Sequence, residues 1–183
     1  MVDKRIIDKA VKGDHKSERQ IYELLSKPLF MMCLRYLKNQ EDAEDVLTLA
    51  FVKVFQSLSG FEFQGPGSLV AWARKVTLNE CLMYLRKQKR SPMMVEPDEH
   101  VRSIEEGVID KLSADELFIL ILQLPEGYRT VFNLYEIEGY AHHEIAEKLN
   151  ISLGTSKSQL SKSKAYLREL IRKNGGENAT KII

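Results

Sequence analysis

LPEGYRTVFNLYEIEGYAHHEIAEKLNISLGTSKSQLSKSKAYLREL, residues 124–170, predicts a helix, a glycine-containing turn, a short helix, a tight turn and a long basic helix. That order and spacing describe a helix-turn-helix with its recognition helix at the C-terminal end. Such a module places a helix in a DNA groove. Residues 1–123 then determine what is done at that DNA.

On the last helix Leu160, Leu167 and Ile171 mark the face that packs inward. At 100° per residue, Ser156, Ser163 and Lys164 fall on or beside that face. Thr155, Ser158, Gln159, Ser161 and Lys162 lie opposite, in the first two turns. Short hydroxyls, one amide and one cation suit contact with base edges and phosphates. Gln159 can pair bidentately with adenine, Lys162 favours guanine or a phosphate, and the flanking Lys157 and Arg168 suit phosphates. The bland alternative is a solvated face on a helical hairpin. The upstream AHHEIAEKL, the turn NISLGT and the basic continuation together favour DNA.

The net charge of +1 hides an uneven distribution. Residues 1–90 carry 16 Lys/Arg against 11 Asp/Glu, residues 91–120 carry 2 against 8, and residues 121–183 carry 9 against 7. Two weakly basic blocks thus flank an acidic connector. Cys33 and Cys81 stand in apolar helical surroundings, too few and too far apart for a zinc site or a disulfide framework, and read as buried thiols of a reducing compartment. MVDKRIIDKAVKGD has no apolar core suited to a signal peptide, and the strongest apolar run, Leu117 to Leu122, is too short to span a bilayer. A cytoplasmic protein without membrane insertion is expected.

The rest of the chain reads almost wholly as helix. One helix is expected from about Ser17 to Leu37, kinked or briefly broken at Pro28. Asn39 reads as the N-cap of the next, which runs to about Leu58 and is apolar almost all round after Val46. SGFEFQGPGS, residues 59–68, is a loop, and a helix follows from about Leu69 to Lys87 or Arg90. SPMMVEPDEHVRSIEEG, residues 91–107, is linker, and helix resumes near Ser113, an N-cap with Glu116 three residues on. The expected fold is all-α: two small helical domains joined by a flexible acidic linker. The second is a helix-turn-helix domain of winged-helix-like or four-helix form. The expected boundaries are 1–90, a linker 91–112, 113–173 and a tail 174–183. The basic end Arg86, Lys87, Lys89 and Arg90 suits either solvent or, with Phe61, Phe63, Trp72 and Tyr84 near in sequence, single-stranded DNA. Trp72 fits the core better than a stacking platform.

DAEDV (42–46) followed by FVKVF, WARKVTLNECLMYLRKQKR (72–90), the acidic linker and the helix-turn-helix together resemble a two-domain bacterial RNA polymerase sigma factor. The group it resembles is the extracytoplasmic-function (ECF) sigma factors. Similarity spans roughly Ile21 to Arg90 and Leu112 to Arg172. The resemblance implies a transcription initiation factor, not an enzyme and without cofactor or metal. It would bind core RNA polymerase, direct it to promoters and help to open the DNA. It implies core polymerase contacts through Asp42, Glu44, Asp45, Val46 and Phe51. Minus-ten contacts, to single-stranded DNA, would come from Phe61, Phe63, Asn79, Arg86, Lys87 and Arg90. Thr155, Lys157, Ser158, Gln159 and Lys162 would read the minus-thirty-five duplex. The linker would thread toward the RNA exit path, and an anti-sigma factor is the implied regulatory partner.

The chain departs from the family pattern at Thr48 and Leu49, where a glutamine and an acid are usual, and at Met83, commonly aspartate or asparagine. Ser156 and Gln159 replace a frequent valine and arginine. Three other readings compete. His142 and His143 lie 100° apart on a helix with no further ligand at metal spacing, which favours a partly exposed face or a phosphate contact. The carboxylates at 41–45 lack the Glu-x-x-His partners of a metal-carboxylate bundle, and no phosphate-cradling glycine-rich motif with a following lysine is present. A helix-turn-helix regulator that never touches polymerase is the main alternative, and a helical adaptor that sequesters a partner is the third.

Overall fold

The computed structural model describes residues 2–89 and 113–175. Eight α-helices occur among them: α1 Lys4–Val11, α2 His15–Leu37, α3 Gln40–Ser57, α4 Ser68–Lys89, α5 Ala114–Gln123, α6 Glu126–Phe132, α7 His142–Leu149 and α8 Leu153–Gly175. No strand occurs among the described residues, so the four-helix form fits the second half and the winged form does not. The chain divides into two compact units, Met1–Met93 and Met94–Ile183.

In the first unit α2, α3 and α4 pack against one another, with α1 laid on α2. The short α1 carries no long periodic signal, yet Asp3 caps it by accepting from the Ile6 amide at 3.0 Å, and Ile7 and Ala10 are buried. Ile21, Leu25 and Leu29 of α2 meet Phe51 and Val54 of α3 and Leu69 and Ala73 of α4 in one core. Each fully buried aliphatic side chain contributes roughly 1.5–3 kcal/mol. That packing carries α2 through Pro28 as a single 23-residue helix, so of the expected kink or short break the break does not occur. The ring costs a backbone hydrogen bond, and Leu25 and Leu29, both with no exposure, hold the turn in place. Cys33 on α2 and Cys81 on α4 are free thiols buried in this core, their Sγ atoms 3.8 Å apart. The Cys33 contact and burial push the Cys81 thiol well up.

Asn39 caps α3, its Oδ1 accepting from the Glu41 amide at 2.8 Å and the Asp42 amide at 3.3 Å. After α3 a 3₁₀ turn, Leu58–Gly60, leads into the loop 61–67. Ser68 closes that loop by donating to the Gly65 carbonyl at 2.7 Å, at the first position of α4.

In the second unit Ser113 caps α5 in a reciprocal box. Its hydroxyl accepts from the Glu116 amide at 3.3 Å, and the Glu116 carboxylate accepts from the Ser113 amide at 2.9 Å. Helix α6 runs into a π-helical turn, Asn133–Ile137, and Gly139 takes φ 76° in the bend before α7. Asn150, at φ 53°, ends α7 in the left-handed conformation that asparagine tolerates. Ser152 then caps α8, accepting from the Thr155 amide at 2.9 Å. Helices α5, α6 and α7 all pack against α8. Leu167, with no exposure, and Leu160 point inward from it.

Candidate nucleic-acid and polymerase surfaces

The outer face of α8 begins at its first turn. Lys157, Ser158, Ser161 and Lys162 are exposed there, while Ser156 and Ser163 are wholly buried on the inner face. Lys164, half-buried, pairs with Glu136 at 2.7 Å. Thr155 is half-buried and spends its hydroxyl on Ser152 at 2.8 Å, which makes it part of the helix cap. Ser158 donates to the Thr155 carbonyl at 3.0 Å. Gln159 is half-buried and lies over α6, where a methyl group placed on Gly127 would sit 3.5 Å from both amide heavy atoms. The exposed set is therefore narrower than helical spacing alone suggests: two lysines and two serines, with Thr155 and Gln159 engaged beside them.

On α4 the exposed residues Ala71, Lys75, Asn79, Met83 and Lys87 recur every four positions and, with Arg86 beside the last, form one stripe along the helix. Asn79 stands at its middle, with Arg86 and Lys87 at its end. Phe61, half-buried, packs on the equally half-buried Trp72 with ring centroids 5.0 Å apart. Phe63 is also half-buried, and both phenyl rings lean on the core below. Trp72 thus serves the core and the loop at once. Arg90 lies outside the described residues, as do the linker and the tail.

On α3 the exposed face runs through Glu41, Asp45, Thr48, Leu49 and Val52, with Glu44 at its side. Two expected contact residues do not belong to it. Val46 and Phe51 are 1% and 7% exposed, because they fill the seam against the neighbouring helices, and Phe51 also meets the Tyr22 ring at 4.7 Å. In their place Leu49 and Val52 are the apolar residues offered to solvent, at 54% and 48% exposure. Asp42 is half-buried and turned toward α4, where its Oδ1 accepts from the Tyr84 hydroxyl at 2.5 Å. In a helix apolar nearly all round, no single-sequence pattern separates the buried apolar side chains from the exposed ones.

Among the described residues no group of three or more His, Cys, Asp or Glu is placed to hold a metal, and no helix is long and apolar enough to cross a membrane. His142 bonds Ser156 through Nδ1 at 2.9 Å and stacks on Tyr135 with centroids 4.5 Å apart.

The family model described as Sigma-70 region 2 matches residues 21–91, and the one described as Sigma-70, region 4 matches residues 115–167. The chain is 26% identical over 185 residues to the ECF RNA polymerase sigma factor SigW of Bacillus subtilis, covering 94% of this chain and 98% of that one. This chain belongs to the ECF group of RNA polymerase sigma factors. It is also 28% identical over 157 residues to the ECF RNA polymerase sigma factor SigE of Mycolicibacterium smegmatis, covering 82% of this chain but only 60% of that longer protein. Among solved structures, the sigma factor RpoE of Bartonella quintana, crystallised with the anti-sigma factor NepR, matches with a TM-score of 0.51 at 21% identity, over 84% of this chain and 96% of that one. The exposed stripe of α4 falls within the region 2 match, and the first turns of α8 fall within the region 4 match.

Proposed function

We propose that this ECF sigma factor is a transcription initiation factor that binds core RNA polymerase, directs it to specific promoters and opens the DNA at the minus-ten element. The observation that carries the reading is the co-occurrence of the two family matches, in order, on two separate helical units. A regulator whose N-terminal helices sense or dimerise, and never touch polymerase, needs no sigma region 2 in its first unit.

In this reading the exposed face of α3 docks on the polymerase through Glu41, Glu44, Asp45, Leu49 and Val52, with Asp42 supporting the helix from behind. The loop 61–67 and the stripe of α4 hold the unpaired minus-ten strand. Extracting a base from the stack costs a few kcal/mol, offset by binding of the extruded base and its neighbours. Asn79 stands where such a base would be captured. Arg86 and Lys87, joined by Arg90, follow the backbone charge, and Phe61 and Phe63 supply aromatic edges.

The first turns of α8 enter the major groove at the minus-thirty-five element. Lys157 and Lys162 meet phosphates or guanine, Ser158 reaches the base edges, and Gln159 reads adenine after leaving its seat on Gly127. Thr155 holds the helix start. A cytoplasmic site of action and control by an anti-sigma protein follow from the same reading, the latter supported by the complex in which the Bartonella quintana protein was solved. Co-purification with core polymerase tests the assignment: a stable complex is expected. Salt-sensitive DNA binding without any complex would favour the stand-alone regulator.

A further inference from the structure

One irregular stretch of chain braces the recognition helix at two points. The π-helical turn Asn133–Ile137 breaks the regular facing of the side chains that follow α6. Glu136, in that turn, reaches Lys164 of α8 at 2.7 Å. Its neighbour Tyr135 stacks on the imidazole of His142, with ring planes 26° apart. His142 Nδ1 in turn lies 2.9 Å from the hydroxyl of Ser156 in the first turn of α8. Ser156 is wholly buried, and its amide is already committed to the Ser152 carbonyl at 3.0 Å.

A buried hydroxyl without a partner is costly, so the Ser156–His142 bond favours one rotational setting of the helix start. With Nδ1 unprotonated, the Ser156 hydroxyl donates to it. The same helical turn carries Lys157 and Ser158 on its outer side, both exposed. A shift at Ser156 therefore moves both groups relative to a duplex.

We propose that His142 is a positioning residue for minus-thirty-five recognition: stacked on Tyr135, it fixes the first turn of α8 through Ser156. The proposal rests on the reading of the second unit as the duplex-binding module. It assigns His142 an action through Ser156, with no contact to DNA of its own.

The test uses holoenzyme reconstituted with core polymerase on two promoters, one with its minus-thirty-five element intact and one with that element replaced. His142→Phe keeps the stack and strands the Ser156 hydroxyl. Binding to the intact promoter is expected to weaken roughly tenfold, with little change on the replaced one. His142→Asn restores a polar partner and recovers most of the loss. Ser156→Ala combined with His142→Phe binds better than His142→Phe alone, because the stranded hydroxyl is gone. Thermal melts of each variant accompany the binding assays.

Equal loss on both promoters, or loss that tracks melting temperature without rescue by His142→Asn, overturns the proposal. So does additivity in the double variant. A wild-type holoenzyme indifferent to the minus-thirty-five element overturns the module's reading and the proposal with it. A discriminating wild type with an unaffected His142→Phe variant overturns the proposal alone.

Discussion

The Tyr84 hydroxyl donates a 2.5 Å hydrogen bond to Asp42 Oδ1, joining the outward end of α4 to the first turn of α3. Gln88 donates to the same hydroxyl at 3.0 Å. The helix proposed to face polymerase and the helix proposed to face DNA are thus tied by one carboxylate. Tyr84→Phe is expected to lower stability by about 1 kcal/mol, the net worth of a partly exposed hydrogen bond. Denaturant unfolding of the full chain measures it. An unchanged midpoint would show the bond to be energetically silent.

The same pair sets a pH dependence. The bond to Asp42 raises the Tyr84 hydroxyl above its usual value. A group raised on folding stabilises the protein fully below its unfolded pKa and loses that contribution as pH rises through the folded one. Wild type should therefore lose stability relative to Tyr84→Phe only above about pH 10. Parallel pH–stability curves through that range would contradict the bond's role.

Lys162, exposed on the outer face of α8, is expected to contact duplex DNA. If it meets phosphate, Lys162→Ala weakens promoter binding and lowers the slope of log affinity against log salt by about 1. An altered preference at one base pair with an unchanged slope assigns it to a base instead. Holoenzyme titrations at several salt concentrations separate the two.

Asn79 sits at the middle of the exposed stripe of α4. Asn79→Ala should leave closed-complex formation near wild type and slow opening on a duplex promoter. A premelted minus-ten bubble should recover part of the deficit, because unpairing has already been done. Permanganate footprinting of unpaired thymines follows the opening. Equal defects in closed-complex formation and opening would remove Asn79 from base capture.

Leu49 stands half exposed on the outer face of α3, at a position where the sequence resemblance leads to the expectation of an acid. Leu49→Glu is expected to make core polymerase binding more sensitive to salt, since charge replaces apolar area at the docking face. Fluorescence titration against core enzyme at low and high salt reads the change. Identical salt dependence would place Leu49 outside that face.

Local signals carried most of the fold in advance. Asn39 and Ser113 were legible as caps because each motif is complete within three residues, and their bonds form as expected. The inward setting of Ser156, Ser163 and Leu167 followed from helical spacing alone. What escaped depends on contacts between distant residues. Pro28 reads as a break until the packing of Leu25 and Leu29 is known. Val46 and Phe51 are apolar, as the exposed Leu49 and Val52 are, so apolar character alone does not separate them. The seat of Gln159 on Gly127 and the Tyr84–Asp42 bond each join residues whose proximity no local pattern encodes.

The central claim is tested most directly by run-off transcription with core RNA polymerase, this protein and a pool of fragments from its own genome. Discrete transcripts that need the protein, and whose start sites share upstream minus-ten and minus-thirty-five sequences, are the predicted result. Transcripts no different from those of core enzyme alone would contradict it.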